Sequence, residues 1–193
     1  MIFSLSGAPI YSAKLESVDN HKQLLEPFIT NENFWRQADE WKSRTTTTHQ
    51  HKNNHELPWN NIIPEINQHF DNYLETFDPK DSFEVETHPW LNRYAKGEWQ
   101  EQHNHFAPNL FFSFAYIIQS NGTKNFVFSD NPYSWYSHFN AKDYFNKWPG
   151  RQYVPEQDDG TLFIFPSTID HFVMPNLVDE YRVSASGNFI IHG

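Results

Sequence analysis

The chain has 193 residues, with 18 Phe, 9 Tyr and 7 Trp, no cysteine and a formal net charge of −10. That length fits a single domain with a buried core, and the lack of cysteine excludes a disulfide framework and thiolate zinc sites. An acidic chain without a basic stripe is a poor match for a phosphate backbone, which argues against a nucleic-acid partner.

The opening "MIFSLSGAPIYSAKLESV" has no basic, apolar leader, and no window reaches the roughly 18 apolar residues of a membrane helix. A cytoplasmic product without a membrane partner is expected. "IFSLSGAPIYSAKL" reads as a short strand pair or an extended opening, broken by Gly7 and Pro9. In "TNENFWRQADEWKSR", a cap at Thr30 or Asn31 and the spacing of Phe34, Trp35, Ala38 and Trp41 predict a helix over 30–44. "TTTTHQHKNNHELPWNN" reads as a polar surface loop. "IIPEINQHFDNYLETF" reads as an amphipathic helix with Pro64 in its first turn and Ile62, Ile63, Ile66, Phe70, Tyr73, Leu74 and Phe77 on its apolar side.

From about Ser82 the apolar period becomes two, with short runs separated by Gly, Pro, Asn and Asp. The expectation is a mainly β fold, a β-sandwich or jelly roll, with a helical buttress over about 30–78 and a β core over about 82–191. All of 1–193 then forms one domain. The aromatic segment 131–156 reads as a long insert between strands that covers a site.

Eleven histidines are present. Isolated ones (His21, His69, His88, His138 and His192) are read as exposed or hydrogen-bonded in place. His49, His51 and His55 have chelating spacing, but Thr, Gln, Lys and Asn surround them with nothing to fix a ring. His103 and His105 share a strand face, and His171 lies in a second apolar run, "FPSTIDHFVMPN". Two readings stand: a hydrogen-bonded pair, or a metal site whose imidazoles suit Fe, Zn, Cu or Ni. Downstream, Arg182 and Ser184 in "YRVSASGNF" share a face. A buried guanidinium wants an anion, and a carboxylate fits it bidentately. A salt bridge to Asp179 or Glu180 is the alternative.

The runs "WLNRYAKGEWQEQHNHFAP" and "GTLFIFPSTIDHFVMPNLVDEYRVSASGNF" resemble the Fe(II)- and 2-oxoglutarate-dependent oxygenases, nearest to members in bacteria and phages with an H-x-H…H…R-x-S pattern. The resemblance spans roughly 82–191. It implies a double-stranded β-helix (jelly roll) buttressed by two or three N-terminal helices, and an enzyme using Fe(II), 2-oxoglutarate and O2, with ascorbate in support. It also implies hydroxylation of an unactivated C–H bond with decarboxylation of 2-oxoglutarate to succinate, in the host cytoplasm if a phage encodes it. Carried over by position, His103 and His171 are metal ligands, while Arg182, Ser184, Tyr116 and Tyr94 belong to the cosubstrate pocket. The family's usual pattern has Asp or Glu where His105 stands. Three options follow: ligation by His105, which its spacing favours; Glu101 as the third ligand; or water or an anion with His105 behind it. Small molecules and protein side chains both remain as substrates, and the oligomeric state is open. The rival readings are a three-histidine cupin-type metalloenzyme without 2-oxoglutarate, and a non-catalytic β-sandwich that binds a sugar or a protein.

Overall fold

The two-residue period after residue 82 becomes a run of antiparallel strands in a computed structural model, which describes residues 1–5, 8–79, 83–129 and 152–192. The chain opens with strands β1 (Ile2–Leu5) and β2 (Ala8–Lys14), then helix α1 (Val18–Ile29), short strands β3 (Arg36–Gln37) and β4 (Thr46–Thr47), and helix α2 (Trp59–Leu74). Strands β5 (Glu84–Tyr94), β6 (Gln100–His103), β7 (Leu110–Gln119) and β8 (Phe126–Ser129) follow, then β9 (Gln152–Tyr153), β10 (Thr161–Pro166), β11 (Asp170–Val173) and β12 (Arg182–His192). They form an eight-stranded sheet, ordered β1-β2-β10-β7-β12-β5-β4-β3, and a four-stranded sheet, ordered β6-β11-β8-β9. This is the expected mainly β jelly roll, with two α-helices outside it among the described residues.

Alternation along each long strand sends successive side chains to opposite faces, so the large sheet serves two cores. On one face Leu91, Phe114, Tyr116, Leu162, Val183 and Phe189 pack against Leu25 of α1 and Ile62, Ile66, Phe70 and Tyr73 of α2. The rings of Phe70 and Phe189 stack at 3.8 Å. On the other face Tyr94, Ala115, Ile117, Phe163 and Phe165 meet Phe126, Phe128 and Val173 of the small sheet. Burying each large side chain stabilises the fold by about 1.5–3 kcal/mol. At Gly187 a Cβ would come within 2.3 Å of the Phe114 ring and 2.8 Å of the His88 carbonyl oxygen, so the strand crossing requires glycine there.

The expected strand pair at the start and the second helix are present, although α2 begins at Trp59 and places Pro64 in its second turn. Two expectations are corrected. Residues 30–44 form no α-helix: Asn31 caps only a single 3-10 turn, Glu32–Phe34, with its side chain accepting from the Asn33 amide. The chain then extends so that β3 can pair with β4, and β4 with β5. The helix lies one segment earlier, in α1, where His21 and Leu25 are buried, Val18, Phe28 and Ile29 pack partly buried against the same core, and Pro27 sits inside. The supposed surface loop after residue 44 is also partly interior. Thr45, Thr47 and Thr48 are buried, and the Thr45 and Thr47 hydroxyls donate to the Arg93 and Leu91 carbonyls at 2.9 and 3.0 Å. The insert expected over 131–156 lies, up to residue 151, outside the described residues, as does His138. No described helix is long and apolar enough to cross a membrane.

Candidate metal centre

Register brings the distant histidines together. β6 pairs antiparallel with β11 in the small sheet, and His103 lies directly opposite His171. His105 follows two residues beyond β6, held by its amide donating to the Ser167 carbonyl at 2.9 Å. One ring nitrogen from each of His103, His105 and His171 falls within 4.8 Å of the other two. Every Nδ1 already has an oxygen partner. His103 Nδ1 faces the Glu101 carbonyl at 2.8 Å, His171 Nδ1 the Ile169 carbonyl at 3.0 Å, and His105 Nδ1 the Asn188 Oδ1 at 2.6 Å. A carbonyl can only accept, so each Nδ1 carries the proton and each Nε2 keeps a free lone pair. Asn188 is itself held by the Ser113 hydroxyl, which donates at 2.9 Å.

Burial keeps the three rings neutral, as metal binding requires. Burial first, and then the repulsion that a second protonated ring at His103 would exert, pulls His105 down to about 4 against the opposing Asn188 hydrogen bond. His103 is lowered by burial, and His171 is pushed far down by burial and its two neighbours. The Glu101 carboxylate lies outside this trio: its Oε1 accepts from the Lys42 amide at 3.0 Å. Asp170 accepts from Gln102 and Asn104 at 3.0 and 2.7 Å on the outer side.

The same cleft continues inwards past Trp90, Asn92, Tyr94, Gln100, Ser184 and Ser186. Beneath it Arg182 is fully buried, and its Nε and both terminal nitrogens have no partner. Its guanidinium lies 5.2 Å from the centre of the Tyr94 ring, and the Tyr94 hydroxyl donates to Gln100 at 2.7 Å. The alternative salt bridge to Asp179 or Glu180 does not form: none of the three Arg182 nitrogens has a hydrogen-bond partner among the described residues, and Asp179 pairs with Lys96 at 2.9 Å. An unpaired buried guanidinium is costly without an anion, so its chemistry suits a carboxylate. Tyr94 and Ser184 are among the residues lining the cleft. Tyr116 is not: it lies on the helix-facing side of β7, with its hydroxyl 3.0 Å from His21 Nδ1. Its neighbour Ala115 takes the inner face, because one step along a strand reverses the side chain.

The sequence profile of the family described as "Putative 2OG-Fe(II) oxygenase" matches residues 88–188, just over half of the chain. The chain belongs to this oxygenase family. It is a 2-oxoglutarate-dependent dioxygenase, with Fe(II), 2-oxoglutarate and O2 as its cofactor and cosubstrates, and the histidine trio fits iron. The oxygenase shares its fold with a Pseudomonas putida prolyl-4-hydroxylase at 14% identity and TM-score 0.56, covering 95% of this chain and 93% of that one. It is likewise similar to a viral collagen prolyl hydroxylase from Paramecium bursaria Chlorella virus-1, at 14% identity and TM-score 0.52 over 93% and 95% of the two chains. The carbocyclase SnoK from nogalamycin biosynthesis matches at 8% identity and TM-score 0.59, over 94% and 79%. No curated protein matches the oxygenase in sequence.

Several residues of the site escaped the sequence reading. Asn188 continues the even-numbered inner face of β12 that starts at Arg182, and the two-residue period could have pointed to it. His49 carries no such signal. It was read as part of a polar loop, yet it packs 4.8 Å from the Trp90 ring and 5.6 Å from that of Trp41, at the mouth of the cleft. His51 and His55 are instead tied to local backbone groups of Asn53 and Lys52.

Proposed function

We propose that this oxygenase hydroxylates an unactivated C–H bond of a small molecule or a protein side chain, converting 2-oxoglutarate and O2 to succinate, CO2 and the hydroxylated product. The observation that carries this reading is the combination of three histidines with free Nε2 lone pairs and, behind the Tyr94 that lines the same cleft, a buried guanidinium with no hydrogen-bond partner among the described residues. In this reading His103, His105 and His171 hold Fe(II), which supplies the oxidising chemistry when bound. Asn188 and the Glu101 and Ile169 carbonyls fix the ring orientations and keep the tautomers. Arg182 grips the far carboxylate of 2-oxoglutarate, assisted by Ser184 and with Tyr94 alongside. A neutral imidazole at His105, in place of a carboxylate, leaves the centre one unit more positive and favours a dianionic cosubstrate. The aromatic walls of Trp90, Phe126 and Tyr94 exclude water from the cleft.

The test incubates purified protein with Fe(II), ascorbate and 2-oxoglutarate and measures succinate. Turnover above an iron-free control is expected, and Arg182→Ala should raise the KM for 2-oxoglutarate at least about thirtyfold, as loss of a buried charge partner does. No succinate above the control across a broad substrate panel would overturn the reading.

A further inference from the structure

Outside the histidine trio the cleft opens into a cavity of about 380 Å³, lined among others by Trp41, His49, Trp90 and Glu101 and floored by His103 and His105. Its wall is a continuous aromatic series: Trp41 to His49 at 5.6 Å, His49 to Trp90 at 4.8 Å, and Trp90 to His105 at 5.8 Å between ring centres. Three polar atoms of these residues are buried without a hydrogen-bond partner: Glu101 Oε2, Trp90 Nε1 and His49 Nδ1. Each such atom is costly to leave unsatisfied unless a ligand meets it. The complementary ligand can be written down from them. It brings a donor to a carboxylate oxygen, an acceptor to the indole N–H, and a surface able to lie against indole faces.

A cationic nitrogen satisfies the first and third demands together, because it pairs with the carboxylate and is attracted to the negative faces of Trp41 and Trp90. Glu101 has no ion-pair partner among the described residues, and its other oxygen is taken by a backbone amide. Burial and the nearby Arg36 keep His49 neutral, so it does not compete for that charge. The chain's net charge of −10 also draws cations from solution.

We propose that the substrate carries an ammonium or guanidinium group, docked on Glu101 and the Trp41–His49–Trp90 wall, with a carbonyl near Trp90 Nε1. Basic amino acids, free or within a peptide, have this chemistry. The proposal rests on the oxygenase reading for the position of the reacting carbon, which faces His103 and His105.

Its test is a binding measurement that needs no turnover. Protein loaded with Mn(II) and an inert 2-oxoglutarate analogue is titrated calorimetrically with arginine and lysine, free and in blocked tripeptides, and with their neutral counterparts citrulline and norleucine. The cationic members are expected to bind at least about tenfold more tightly, the lower end of what one close interfacial charge pair gives. That preference should fall to within about twofold in Glu101→Gln and persist in Glu101→Asp, which retains the charge. Trp41→Leu should weaken every cationic probe while leaving the preference for charge. Equal binding of charged and neutral partners, no binding by any cationic probe, or a preference that survives Glu101→Gln overturns the proposal. Succinate formation is followed in parallel. Turnover without a charge preference sinks only the substrate class, and a charge preference without turnover sinks only the oxygenase reading.

Discussion

At the scale of single residues, Arg182 carries a charge with nothing to balance it. Burial disfavours the charged form and lowers its pKa, with only a weak opposing effect from Tyr94. A group so placed destabilises the ligand-free protein and binds its anion tightly when one arrives. Arg182→Met should therefore raise the melting temperature of the ligand-free protein while abolishing its stabilisation by 2-oxoglutarate. Thermal shift with and without the cosubstrate reads both effects, and a fall in stability without ligand would contradict this account. Asn188 is the second informative residue, since its Oδ1 accepts from both His105 and Ser113. Asn188→Ala frees the His105 ring, so metal affinity should fall about 10–100-fold, measurable by competition with a chelator. An unchanged affinity would place His105 outside the coordination set.

At the scale of elements, β12 is the spine, pairing with β5 on one side and β7 on the other. Its even positions face the cleft and its odd positions the helices, and both faces depend on the strand lying flat against Phe114. Gly187→Ala forces a Cβ onto that ring and onto the His88 carbonyl, and only the ring can move. A loss of about 1–3 kcal/mol is expected, a melting temperature several degrees lower in differential scanning calorimetry. A silent substitution would mean that Phe114 has room the packing does not suggest. The elements also show where local pattern misleads. Residues 30–44 have helical spacing but are drawn out by pairing to β4, whereas α1 forms from a segment with only two buried positions.

For the whole molecule, the clustered histidines predict a pH dependence. His105 falls from 6.5 to about 4 on folding, and His103 and His171 shift the same way. The unfolded chain thus takes up protons that the folded centre refuses. The stability of metal-free protein should be fully present above about pH 6.5 and be lost progressively as pH falls toward 4. Glu40, lowered to about 2 by Arg36, acts only below its ordinary carboxylate range, whereas His21, His49 and His69, also lowered by burial, act in the same window and are unaffected by a change at His105. Melting curves from pH 8 to 5 should show a shallower slope for His105→Gln than for the parent, and identical slopes would refute the assignment.

What the amino-acid order determined by itself is what depends on near neighbours. The two-residue period predicted the strands, the H-x-H pair and the later His named the three histidines that the fold gathers, and the spacing of Ile62, Ile66, Phe70 and Tyr73 marked α2. Tertiary structure decided everything that depends on which strand lies beside which. It set His103 opposite His171 and Arg182 opposite Tyr94, chose Tyr94 over Tyr116 for the inner face, and brought Asn188 to His105 and His49 to Trp90. Those contacts link positions far apart in the chain, and they arise from cross-strand register and shared cores, which no local spacing encodes.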